Sequence, residues 1–115
     1  MAELTILHNP RCSKSRAALD AAGDDARVVQ YLKEPLDEAQ LLDLLSKLTD
    51  EPAALVRRDR FFTELGLREE DIRSAEQVAT LLAEHPRLME RPVLIRGDAA
   101  IIGRPTDRIA AFLEQ

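Results

Sequence analysis

The sequence is poor in the residues with which small domains staple themselves, bind bases or cross membranes. Its 115 residues include one cysteine, no tryptophan, one tyrosine and three phenylalanines. A lone thiol, Cys12, excludes an internal disulfide framework and a zinc-finger ligand set. His8, His85 and Cys12 are the only imidazole or thiol ligands, so no metal is expected. Four aromatic side chains are too few for a base-stacking platform, and a net charge of -5 argues against wrapping phosphates, so nucleic acid is not an expected partner. No run approaches the ~18 to 20 apolar residues of a membrane span. Met1-Ala2-Glu3-Leu4 lacks the basic and apolar parts of a signal peptide, so a cytoplasmic location with no membrane partner is expected.

What remains is globular composition: 45% hydrophobic and 32% charged residues, in a length that suits one domain, residues 1–115, burying roughly two thirds of its unfolded surface. Leu4 to His8 is a short β-prone run halted by Asn9-Pro10. From Ser13 or Ser15 the alanine-rich stretch to Ala22 predicts a helix, with Gly23 at its C-terminal cap. Arg27 to Leu32 reads as a second strand, reached through a crossover long enough to make it parallel to the first. Asp37 to Gln40 resembles a capping box ahead of Leu41, Leu44, Leu45 and Leu48, which fall on one helical stripe. Ser74 to Gln77 repeats that signature before Val78, Leu81 and Leu82, and Pro86 stops the helix. Residues 37–86 thus read as a helical insertion. Pro92 to Ile95 and Ala99 to Ile102 flank Arg96-Gly97-Asp98 as an antiparallel hairpin, and Thr106 caps a last helix carrying Ile109, Phe112 and Leu113.

The charge is unevenly placed. His8 to Arg16 holds Arg11, Lys14 and Arg16 and no acid, leaving 13 basic against 21 acidic residues elsewhere. Cys12 sits in that basic loop at the mouth of the first helix, where free N–H groups and the helix dipole favour an anion. A free thiol of pKa ~8.5 is about 3% ionised at pH 7, and lowering it to ~6.5 takes about 2.7 kcal/mol of differential stabilisation. The helix end and the basic side chains could supply it, with His8 a further partner if charged. Ser13 and Ser15 serve either as helix caps or as hydroxyl donors to a thiolate or oxyanion. Thirteen of the sixteen basic residues are arginine. Arg91 directly precedes Pro92, Arg104 lies in Gly103-Arg104-Pro105, and Arg57, Arg58 and Arg60 form a third cluster. A thiolate with several guanidiniums suits attack on an anionic substrate, because guanidinium grips a tetrahedral oxyanion through paired donors.

From Leu4 to Leu113 the chain resembles the glutaredoxin-coupled arsenate reductases, most closely their arsenate-reductase-like relatives. The resemblance rests on His8-Asn9-Pro10-Arg11-Cys12-Ser13-Lys14-Ser15-Arg16, Leu55-Val56-Arg57, Glu64-Leu65, His85-Pro86, Leu88-Met89-Glu90-Arg91-Pro92 and Ile102-Gly103-Arg104-Pro105. It implies an α/β thioredoxin-like fold with a mixed four-stranded sheet, and a cis-proline at Pro92 beside the cysteine. It implies Cys12 as nucleophile, His8, Ser15 and Arg16 as thiolate-activating residues, and Arg57, Arg91 and Arg104 as oxyanion-binding residues. It further implies arsenate reduction with glutathione as co-substrate and glutaredoxin as partner, without a tightly bound cofactor. The resemblance departs at Ser13-Lys14, where the best-established arsenate reductases carry Gly-Thr, a difference that bears on the substrate rather than the nucleophile. Two other classes fit parts of the pattern. One is a monothiol redox protein exchanging disulfides with glutathione. The other is an RNA-polymerase-binding regulator like the Spx proteins, many of which carry a C-x-x-C switch that is absent here.

Overall fold

A four-stranded mixed sheet with helices on both faces organises the chain, as the resemblance implies. The computed structural model describes residues 3–23, 26–104 and 107–114. Strand β1 (Leu4–Leu7) leads through the cysteine loop into helix α1 (Ser13–Ala22), and β2 (Arg27–Val29) returns parallel to β1, with Ile6 opposite Val28. Helices α2 (Glu38–Lys47), α3 (Arg60–Glu64) and α4 (Ala75–Glu84) follow, joined by single 3-10 turns at Pro52–Leu55, Glu69–Ile72 and Pro86–Leu88. Strands β3 (Val93–Arg96) and β4 (Ala99–Ile102) form the hairpin, turned at Gly97, whose φ of 60° few other residues adopt cheaply. Helix α5 (Asp107–Leu113) closes the fold. The sheet order is β2-β1-β3-β4, with β3 antiparallel to both its neighbours.

The two-residue period of the strands divides the core. Leu4, Ile6, Leu94 and Ile101 point to the face covered by α1 and α5, where Ala18, Ile109 and Phe112 meet them. Leu7, Val93, Ala100 and Ile102 point to the opposite face, against α2, α4 and the intervening turns. Both faces are covered, which is why the strands read as nearly unbroken apolar runs. The helix starts follow the expected chemistry: Asp37 and Ser74 each close a capping box, with Gln40 and Gln77. Leu41, Leu44 and Leu45 are buried, and Leu48 ends the stripe as the C-cap.

One strand is shorter than its sequence predicts. β2 ends at Val29, because the Gln30 carbonyl accepts the N–H groups of both Lys33 and Glu34 at 2.9 Å and turns the chain. Tyr31 is thereby directed into the core, 1% exposed, while Leu32 stays 42% exposed. The expected cap at Thr106 lies outside the described residues. Among those residues no helix is long and apolar enough to cross a membrane.

Candidate active site

Asn9 builds the cysteine loop. Its Oδ1 accepts the Arg11 N–H and its carbonyl accepts the Cys12 N–H, each at 3.0 Å. This turn delivers Cys12 in an extended conformation to the N-cap of α1, where its carbonyl accepts the Arg16 N–H at 3.1 Å. Cys12 therefore occupies the cap position; Ser13 is the first helical residue and exposed, and Ser15 lies within the first turn, fully buried. No conventional cap bond closes at the sulfur. Burial of Cys12, 7% exposed, pushes its thiol up, but the backbone amides of Ser15 and Lys14 and the hydrogen bond and charge of Arg91 outweigh it and bring the pKa down to about 7. At neutral pH roughly half the sulfur is thiolate.

The positive charge at the sulfur comes from across the chain. Arg104 places Nη2 3.6 Å from Cys12 Sγ, and Arg91 contributes a hydrogen bond and its charge. The side chains expected to help, Arg11, Lys14 and Arg16, are exposed. Arg11 precedes α1, and Lys14 and Arg16 lie off the helix face that buries Ser15 and Ala18. The charge of Arg16 acts instead on His8, where it opposes protonation.

Backbone contacts place the three arginines. Arg91 and Arg104 flank the β3–β4 hairpin: the Arg91–Pro92 peptide is cis, and Arg104 Nε donates to the Arg91 carbonyl at 2.6 Å. Gly103 N–H donates to the Pro92 carbonyl at 2.8 Å. A Cβ on Gly103 would stand 2.9 Å from Pro92 Cγ and 3.0 Å from Ile109 Cγ1, so only glycine fits there. Arg57 is brought in by an antiparallel bridge between Val56 and Met89, in which Arg57 N–H donates to the Leu88 carbonyl at 2.7 Å and Glu90 N–H to the Leu55 carbonyl at 2.6 Å. Its neighbours turn elsewhere: Arg58 pairs with both oxygens of Glu69 at 2.7 and 3.0 Å, and Arg60 with Glu64 at 3.0 Å. Arg91 Nε is buried without a hydrogen-bond partner among the described residues, as are His8 Nδ1 and Ser15 Oγ. All three belong to residues at the cysteine loop, the first turn of α1 or the cis-proline, and such orphaned polar atoms are rare in a protein interior.

A model described as the ArsC family matches residues 7–112. The chain belongs to the ArsC family. A protein of Neisseria meningitidis named arsenate reductase is 41% identical over 118 residues, spanning 98% of this chain and 100% of its own. The uncharacterized protein YfgD of Escherichia coli is 38% identical over 112 residues, with 93% of each chain covered. The solved arsenate reductase of Vibrio cholerae matches with a TM-score of 0.82 at 31% identity, over 96% of this chain and 97% of that one. With the strand order above, these neighbours establish the α/β thioredoxin-like fold.

In this ArsC chain His8 continues β1 by donating its N–H to the Val29 carbonyl at 2.8 Å and is buried at 5% exposure. Burial lowers its pKa below 6.5; a contact with the Ser15 backbone opposes this and the Arg16 charge adds to it, so at neutral pH His8 is an uncharged neighbour of the thiolate rather than the cationic partner considered above. The native state thus binds fewer protons than the unfolded one as pH falls through 6.5, and stability declines there. Urea unfolding of His8→Gln should show a smaller loss than the parent between about pH 7.5 and about pH 5. Equal losses would contradict the neutral assignment.

Sequence reasoning missed three residues around the site. Tyr31 has the sequence signature of a strand residue; burial raises its phenol, while the Arg91 charge and a contact with Asn9 act in the opposite direction, so its hydroxyl belongs to the same environment. Asn9 was read only as a turn former, yet it sets the cysteine's position. Glu90 carries no local signal: its carboxylate lies 3.6 Å from Arg104 Nε and 4.0 Å from Arg57 Nε, partners far away in the chain.

Proposed function

We propose that this protein is a cysteine-dependent oxidoreductase that reduces arsenate to arsenite, with glutathione as co-substrate and glutaredoxin as the electron-carrying partner. The observation that carries the reading is a thiol drawn down to about 7, with one guanidinium 3.6 Å from its sulfur and a second that hydrogen-bonds it. The arsenate reductase named in Neisseria meningitidis supports the choice of oxyanion.

In this reading Cys12 thiolate attacks arsenic and forms an S–As bond as an oxygen leaves with a proton as water or hydroxide. Arg57, Arg91 and Arg104 carry the oxyanion, offsetting the repulsion between two anions and the charge that builds up during attack. The backbone amides of Ser15 and Lys14 favour the thiolate, while burial, with a lesser push from the Arg16 charge, disfavours protonation of His8. Each turnover takes arsenic from +5 to +3 and oxidises two thiols to one disulfide. Cys12 is the chain's single thiol and must return to its starting state, so both reducing equivalents come from outside, as glutathione and glutaredoxin would supply them. No resident cofactor is needed.

The direct test is arsenate-dependent NADPH oxidation in the presence of glutathione, glutaredoxin and glutathione reductase. Turnover should be present in the parent and absent in Cys12→Ser. No turnover above the Cys12→Ser background would remove arsenate from the reading.

A further inference from the structure

The arginines of the site are not bare. The Glu90 carboxylate, half-buried, stands 3.6 Å from Arg104 Nε and 4.0 Å from Arg57 Nε. The Arg91 N–H also donates to the same Oε1 at 3.3 Å. Glu90 is itself fixed by the bridge that carries Arg57, through its own N–H on the Leu55 carbonyl. A guanidinium presents its donors in a rigid planar fork. The single Nε–H of Arg104 is spent on the Arg91 carbonyl at 2.6 Å, which directs Nη2 at Cys12 Sγ; Glu90, beyond hydrogen-bond distance of either Nε, acts on both guanidiniums through its charge. Asp59 adds a second acid on Arg57, 3.4 Å from Nη1, but it is also the N-cap of α3, accepting the Phe62 N–H, and touches neither Arg91 nor Arg104 among the contacts described.

We propose that Glu90 is a charge-setting residue of the oxyanion site: its carboxylate, within ion-pair distance of both Arg104 and Arg57, offsets one of the three positive charges that face the substrate. This inference rests on the proposed oxyanion site and deepens it, since the carboxylate sets how strongly the pocket discriminates between anions of different charge. Electrostatic energy scales with ligand charge. Removing one negative charge therefore favours a dianion by about the square of the factor by which it favours a monoanion.

Two variants test the charge. Glu90→Gln removes it at nearly constant size; Glu90→Asp keeps it and is the control. The readout for charge is the rate of Cys12 alkylation by iodoacetate divided by the rate with neutral iodoacetamide, a ratio from which the thiolate fraction cancels. The readout for dianion binding is protection of Cys12 against iodoacetamide by inorganic phosphate and by arsenate at a pH where both are dianions. Glu90→Gln should raise the alkylation ratio about threefold and lower the half-protecting dianion concentration about tenfold. Glu90→Asp should leave both the ratio and the half-protecting concentration within about twofold of the parent. An unchanged ratio in Glu90→Gln, or a shift in Glu90→Asp as large as that in Glu90→Gln, overturns the charge-setting role; circular dichroism verifies the fold of each variant. Neither readout needs turnover, so these shifts without arsenate reduction would leave Glu90's role standing and sink the reductase reading alone.

Discussion

Arg91→Ala is expected to lower arsenate turnover by about 100- to 1000-fold, the usual loss when a donor to a developing oxyanion is removed from a water-poor site. The same change should raise the Cys12 thiol above about 7, because Arg91 supplies the thiolate with both a hydrogen bond and a charge. Ultraviolet absorbance of the thiolate reads the second effect directly. Turnover measured well above the thiol's pKa isolates the first, since ionisation is then complete in both proteins. Arg91→Lys should restore much of the ionisation but little of the turnover, as an ammonium supplies charge without the planar fork. Iodoacetamide alkylation at high pH should hardly change in either variant. Parent-like arsenate turnover in Arg91→Ala would end the oxyanion role assigned to it and favour a plain thiol exchanger.

The largest loss of stability is expected at the centre of the sheet. Leu94 lies on β3, flanked by β1 and β4, and is fully buried against the α1 and α5 layer with Ile6, Ile109 and Phe112. Truncation to alanine removes three carbons from a place where strands on both sides prevent collapse, and should cost about 3 to 4 kcal/mol. Leu32, 42% exposed, is the control: its replacement by alanine should stay within about 0.5 kcal/mol of the parent. Urea unfolding of the three proteins makes the comparison, and a Leu94→Ala cost as small as that of Leu32→Ala would place the core elsewhere.

The elements that were legible in the sequence announce themselves locally. Asn9-Pro10 ends a strand, the capping boxes at Asp37 and Ser74 start α2 and α4, and Gly97 turns the hairpin. The end of β2 is not announced. Val28-Val29-Gln30-Tyr31-Leu32 has the composition of a strand throughout, and the turn that stops it uses the Gln30 carbonyl rather than a glycine or proline. Only packing decides that Tyr31 goes inside. The site divides in the same way. Cys12 is visible because a helix start and a cysteine are adjacent in the chain, and Arg91 and Arg104 because each borders a strand. Nothing local separates Arg57 from Arg58 and Arg60; a long-range bridge between Val56 and Met89 does so. The basic side chains next to Cys12 suggest a local source of charge, but Arg11 in the loop and Lys14 and Arg16 on the helix are all exposed, and the sulfur is left to distant arginines.

The crowding at Gly103 has a bearing on how such a pocket can diverge. With no room for a side chain between Pro92 and Ile109, the main chain at the foot of β4 can hardly shift without disturbing α5. The separation between the anchoring points of Arg91 and Arg104 is accordingly a property of the framework. Ligand preference in descendants of this chain would have to drift through exchangeable side chains bordering that frame, so that selectivity could be rewritten by single codons while the reactive centre keeps its dimensions.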